Sequence, residues 1–109
     1  MSPLPDIVVI LCTAPHAESE PIVRMLVNCR LVACVNVVPV QSCYYWKGEL
    51  CRDEEDLLIA KTPRSRAEEV ISAIKGLHSY EIPEIIVLPV IAGHIPYLEW
   101  VMQETEGSS

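Results

Sequence analysis

Residues 32–46, VACVNVVPVQSCYYW, run into Lys47-Gly48 and then into residues 49–62, ELCRDEEDLLIAKT. The first segment is rich in β-branched and aromatic residues and reads as one long strand. Lys47-Gly48 is a two-residue hairpin signal, so the second segment is the returning strand. Pro39 has no amide hydrogen for a ladder, which predicts an edge position, a bend or a bulge there. In the returning strand, residues 52–56 are charged and read as exposed, while 57–61 enter the core.

Working outward, residues 6–13 hold the continuous apolar run IVVILC, the pattern of a strand covered on both faces. Ala14-Pro15 is expected to end it. A helix is expected from about Ala17 or Glu20 to Arg30, with Glu18 and Glu20 at its positive end. Pro21 is compatible with the first turn of a helix, which argues for the late start. Ile22, Leu26 and Cys29 share one face. On the other side of the hairpin, Ser65-Arg66-Ala67-Glu68 fits a capping box and predicts a second helix whose apolar stripe is Ala67, Val70 or Ile71, Ile74 and Leu77. Residues 84–91 read as another buried strand, and 95–105 as a closing helix. The order is βαββαβ plus a C-terminal helix, an α+β chain on the ferredoxin-like plan. That plan puts the first strand between the third and fourth, antiparallel to the fourth. Two helices cover one face of the antiparallel sheet. The other face is apolar and uncovered, which points to oligomerisation.

The 109 residues suit a single domain over 1–109, with loose ends at about 1–5 and 106–109. Half the residues are apolar, and there is no Phe, so the core is aliphatic. Eight basic against fifteen acidic residues give a net charge of −7, which speaks against a nucleic-acid binder. No apolar run approaches the ~20 residues of a membrane span, and residues 1–15 lack the basic start of a leader, so a cytoplasmic protein without membrane contact is expected. The five cysteines are odd in number and show no CxxC spacing, as expected for reduced thiols.

The topology brings the end of the first strand, Cys12, near the start of the fourth, Glu84, with the His78 loop beside them. Thiolate, imidazole and carboxylate together suit copper or zinc. The plainer alternative is a buried inert thiol and a histidine bonded to backbone. His16 and His94 stand in turns. The run Asp53-Glu54-Glu55-Asp56 reads as a solvated segment, or as a loose site for a hard cation. Tyr44-Tyr45-Trp46 reads as hairpin or interface packing. No phosphate-loop, dinucleotide or nucleophile-elbow motif is present. A Cys12–His78 nucleophilic pair has no nameable orienting group or oxyanion donors, so no enzyme is expected.

Several segments together resemble the CutA divalent-cation tolerance family: IVVILCTAP (7–15), RLVACVNVVP (30–39), YWKGE (45–49), LLIAKT (57–62), HSYEIPEIIVLP (78–89) and YLEW (97–100). The resemblance implies a ferredoxin-like protomer in a tight homotrimer, its long second and third strands joining neighbours. It implies binding of copper or another divalent cation, with Cys12 and His78 carried over as ligands; Glu84, placed beside them by the topology, can complete the shell. The family pattern differs here at Leu77, Ser79, Val40 and His16; the last offers a possible extra imidazole ligand. The alternatives are a PII-like sensor with a small molecule in an intersubunit cleft, near Trp46, Lys61, Tyr80 and Glu84, or a trimeric scaffold for partner proteins. Tyr44 and Tyr45 belong with Trp46 at that cleft or interface.

Overall fold

The computed structural model describes residues 4–106. The expected loose ends lie mostly outside these. Strand β1 (Ile7–Pro15) is followed by helix α1 (His16–Asn28), then the hairpin of β2 (Cys34–Trp46) and β3 (Glu49–Pro63). A 3-10 turn (Arg64–Arg66), helix α2 (Ala67–Leu77), strand β4 (Ile85–Pro89) and helix α3 (Ile95–Glu104) complete the order. The sheet is antiparallel with order β2-β3-β1-β4, so β1 is central as the ferredoxin-like plan requires.

Pro39 lies on an edge strand, and the β2–β3 register runs unbroken from Cys34↔Lys61 to Trp46↔Glu49. The missing amide hydrogen therefore falls where the other strand edge is free, and no bulge is needed. Lys47 and Gly48 both have positive φ, 50° and 81°, as a two-residue hairpin turn needs. β1 pairs with β3 only as far as Pro15↔Glu55. Beyond that point, residues 41–46 and 49–54 continue as a two-stranded ribbon that overhangs the sheet.

Strand alternation sorts the side chains onto two faces. On one face the rungs Val35-Ala60-Ile10-Val87 and Val37-Leu58-Cys12-Ile85 meet the helices. Ile22 and Leu26 of α1 and Val70 and Ile74 of α2 bury this face with Val8 and Ala14. A second cluster joins Ile7 to Leu98 and Val101 of α3. The other face carries Val9, Leu11, Leu57 and Ile59 half-buried, with Val38, Ile86 and Leu88 exposed. β4 was expected to be buried on both faces, and only Ile85 and Val87 are packed against the core. The apolar face is uncovered, as the helix count implied.

Three local expectations are corrected. Helix α1 begins at His16, so Pro21 sits in its second turn. The cost is one missing bond to the Ala17 carbonyl, and both residues are exposed, so water can take it. The early start follows from Asp56 on β3. Its Oδ2 accepts from Ser19 Oγ at 2.5 Å and from His16 Nδ1 at 2.8 Å, placing a carboxylate at the positive end of α1. At the other end Arg30 leaves the helix with φ 54°. Its N–H bonds to the Val27 carbonyl, and the Leu31 N–H bonds to the Leu26 carbonyl, which is a Schellman closure without glycine. The capping box at Ser65 does not form. The Arg64 N–H is held by the Asp6 carbonyl at 2.9 Å, the chain makes a 3-10 turn, and α2 starts after Arg66 with no side-chain cap.

Candidate functional site

The acidic run 53–56 is where the structure departs most from its sequence reading. It lies within β3, so alternate residues point to opposite faces. Asp56 turns to the helices and is 3% exposed. Glu55 turns to the open face and is 5% exposed. The Tyr80 hydroxyl donates to Glu55 Oε2 at 2.8 Å, and the Tyr44 hydroxyl donates to Asp53 Oδ2. Of the four, only Glu54 is exposed. The Ser19 hydroxyl, and then His16, hold the Asp56 carboxyl below its usual range. The hydrogen bond to Asp53 is the main cause that pushes the Tyr44 phenol up to about 12. Burial, and then the bond to Glu55, push Tyr80 higher still.

Cys12, His78 and Glu84 gather at one end of the sheet. Cys12 pairs with Ile85 across the β1–β4 ladder, and the charge of Glu84 acts on its thiol. Burial first, then Glu84 and Glu55, push that thiol up to about 12. Its Sγ lies 3.6 Å from the Thr13 carbonyl oxygen. His78 Nε2 is 2.7 Å from the same oxygen; a carbonyl only accepts, so Nε2 carries the proton. His78 Nδ1 accepts the Tyr80 N–H at 3.1 Å. Both ring nitrogens are therefore spent on main chain, and the ring is the neutral tautomer. Glu18, 3.9 Å from Nδ1, accepts the Ser79 N–H at 2.9 Å instead, which lowers its pKa. His16, offered as an extra imidazole, bonds Asp56.

These donors do not fit a preformed copper or zinc centre. Such a centre wants a thiolate and a free imidazole lone pair. Here burial and the nearby Glu84 and Glu55 charges disfavour the thiolate, and the imidazole lone pair is taken by the Tyr80 amide. Among the described residues, no group of three or more His, Cys, Asp or Glu side chains is arranged to hold a metal ion.

What the same end of the sheet does contain is a cavity of about 680 Å³. The overhanging ribbon forms one wall with Ser42, Tyr44 and Trp46, the 79–84 loop forms the other, and Thr13 and Glu55 lie beneath. Tyr80 crosses from the loop to Glu55. Lys47, at the ribbon tip, reaches Glu81 of the loop at 3.8 Å and lies 5.6 Å over the Trp46 ring. Of the expected cleft residues, Tyr44, Trp46, Tyr80 and Glu84 line this cavity. Tyr45 points to the other face of the ribbon and is 74% exposed. Lys61 lies toward the other end of the sheet, opposite Val9, with its Nζ on Asn36 Oδ1. The carboxylate Glu55 was missed as a site residue. Its signal was its odd-numbered place in β3, on the same face as Leu57.

Comparison with known proteins gives one consistent result. The family model described as CutA1 divalent ion tolerance protein matches residues 7–104. The divalent-cation tolerance protein CutA of Thermus thermophilus is 41% identical over 99 residues, covering 89% of this chain and 96% of that protein. Human protein CutA is also 41% identical over 99 residues, and the match covers 55% of it. The chain spans 58% of the chloroplastic rice protein CutA 1, so little more than half the length of these two relatives. Among solved structures, the PII-like protein CutA from Nostoc sp. PCC 7120 in apo form aligns with a TM-score of 0.88 at 39% identity, covering 91% of this chain and 97% of that one. CutA1 from Oryza sativa aligns with a TM-score of 0.90 at 34% identity, covering 97% and 99%. The aligned region holds β1, the hairpin, the 78–89 segment and α3 alike, and this chain belongs to the CutA1 divalent ion tolerance protein family.

Proposed function

We propose that the chain is a non-enzymatic, homotrimeric binding protein of the cytoplasm, which takes a small molecule into the cleft between the β2–β3 ribbon and the 79–84 loop. The cavity of about 680 Å³ carries this reading, since its size is that of a small-molecule site rather than an ion site. The likeness to a structure described as PII-like supports a binding role. The uncovered apolar face supports assembly: Val38, Ile86 and Leu88 are exposed next to half-buried Leu11 and Leu57. The five free cysteines fit a reducing compartment. Two measurements test it. Light scattering should give about three chain masses for the native protein and a smaller species for Ile86→Glu. A thermal-shift screen of small metabolites should find stabilising ligands whose effect disappears in Ser42→Trp, which fills the cleft. A monomer, or ligand shifts unchanged by Ser42→Trp, would count against the reading.

A divalent cation, copper included, is the second reading. It is favoured by the convergence of Cys12, His78 and Glu84 at one end of the sheet. Ion capture there requires the Tyr80 amide to release His78 Nδ1 and the Cys12 thiol to lose its proton. Titration of reduced protein with copper or zinc, compared with Cys12→Ala and His78→Ala, decides it. Stoichiometric uptake lost in both variants supports this reading; binding unchanged in both removes it.

A further inference from the structure

The cleft's lining also says which chemistry it would accept. The acidic side chains Glu55, Glu81 and Glu84 line it, together with Tyr44, Tyr80 and Trp46; among the described residues no Lys, Arg or His joins the lining, and Lys47 stands at the rim. Glu55 is the most telling of these. It is 5% exposed, only its Oε2 receives a donor, and among the described residues no basic side chain lies within ion-pair distance of it. Among the described residues no buried side-chain oxygen lacks a partner, so its other oxygen is open to the cleft, where a cation would offset the lost hydration of a mostly buried carboxylate. Its one partner, the Tyr80 hydroxyl, is itself a cleft wall.

A bare metal ion answers this poorly. Divalent ions need several converging oxygens, and the described residues offer no cluster of three donors. An anion such as a nucleotide would meet three carboxylates, and the Lys47 ammonium at the rim is already drawn to Glu81. The rim shows the alternative in miniature. There the chain's own ammonium, Lys47 Nζ, lies over the Trp46 ring at 5.6 Å and 3.8 Å from Glu81. Aromatic faces and carboxylates together are the environment that recognises an organic ammonium group.

Resting on the reading of this cleft as the binding site, we propose that its ligand class is an organic cation. An ammonium group is set against Glu55 and Glu84, and an apolar or aromatic body lies between Trp46 and Tyr80.

Three probes with the same ring separate charge from shape: phenethylamine, 2-phenylethanol and phenylacetate. Each is titrated into the full chain at low salt and followed by amide NMR. A fourth titration uses zinc chloride alone. The expected result is saturable movement of cleft amides with phenethylamine, at least tenfold tighter than with 2-phenylethanol, and none with phenylacetate. Glu84→Gln should weaken phenethylamine about tenfold and leave 2-phenylethanol unchanged. Glu55→Gln should do the same, with its fold checked by the unshifted amides of α1. Equal binding of the alcohol or the acid at cleft amides would overturn the cationic class and leave the cleft reading standing. Movement of the same amides by zinc alone, with phenethylamine inert, would replace the organic cation by a metal. If no probe moves cleft amides, both the class and the cleft reading fall.

Discussion

The His78 ring and the Thr13 carbonyl oxygen, 65 residues apart in sequence, are joined by a 2.7 Å hydrogen bond. With the Tyr80 amide on the opposite ring nitrogen, the imidazole clamps the loop after α2 to the end of β1. This clamp sets one wall of the cleft. Replacing His78 by Ala leaves the Thr13 carbonyl with only the weak Cys12 thiol donor and strands the Tyr80 amide. The expected loss is about 1–3 kcal/mol, read by urea denaturation. A loss below the error of that measurement would show that water replaces both bonds.

Asp56 holds the start of α1 from a neighbouring strand. Asp56→Ala removes the acceptor for buried Ser19 and for His16, and should cost about 1–3 kcal/mol. The pH dependence follows from the lowered carboxyl. Its folded value lies below the ordinary 3.8, so its contribution is complete above 3.8 and is lost as pH falls through the folded value. Stability curves of wild type and Asp56→Asn should be separated at neutral pH and converge in strong acid.

The Cys12 thiol is buried and pushed up to about 12, whereas Cys29 and Cys43 are exposed. Alkylation depends on thiolate and access. Iodoacetamide at pH 8 should label Cys29 and Cys43 in the native protein and leave Cys12 unmodified until denaturant is added. Peptide mass mapping reads this directly.

The hairpin tip provides a backbone test. Gly48 has φ 81° and open space around its missing Cβ, so Gly48→Ala meets conformational strain without a clash. The expected cost is about 1 kcal/mol. Lys47→Asn suits its φ of 50° and should preserve or slightly raise stability. Thermal melts of the two variants should move apart.

Much of this molecule could be read from its residues. The hairpin at 32–62 was legible because β-branched runs flank a turn dipeptide whose backbone is restrictive. The central place of β1 followed from topology, and with it the neighbourhood of Cys12, Glu84 and His78. The state of that neighbourhood was not legible, since His78 is occupied by main-chain atoms of residues 13 and 80, which leave no mark on side-chain identity. The acidic run misled for a related reason. Composition says that 53–56 is charged, but only the register against β1 and β2 says that Glu55 and Asp56 are buried on opposite faces. Likewise Ser65 has the right neighbours for a cap, and the Asp6 carbonyl, distant in sequence, redirects the backbone before the cap can form.

The placing of the two tryptophans has an optical consequence. With no Phe in the chain and neither indole in the main core, Trp46 stands on the ribbon and Trp100 stacks on Tyr97 at 5.7 Å along α3. Intrinsic fluorescence therefore watches the periphery of the protomer. Emission would respond to whatever settles beside Trp46 or covers Trp100, while repacking around Ile22 and Val70 would pass almost unseen.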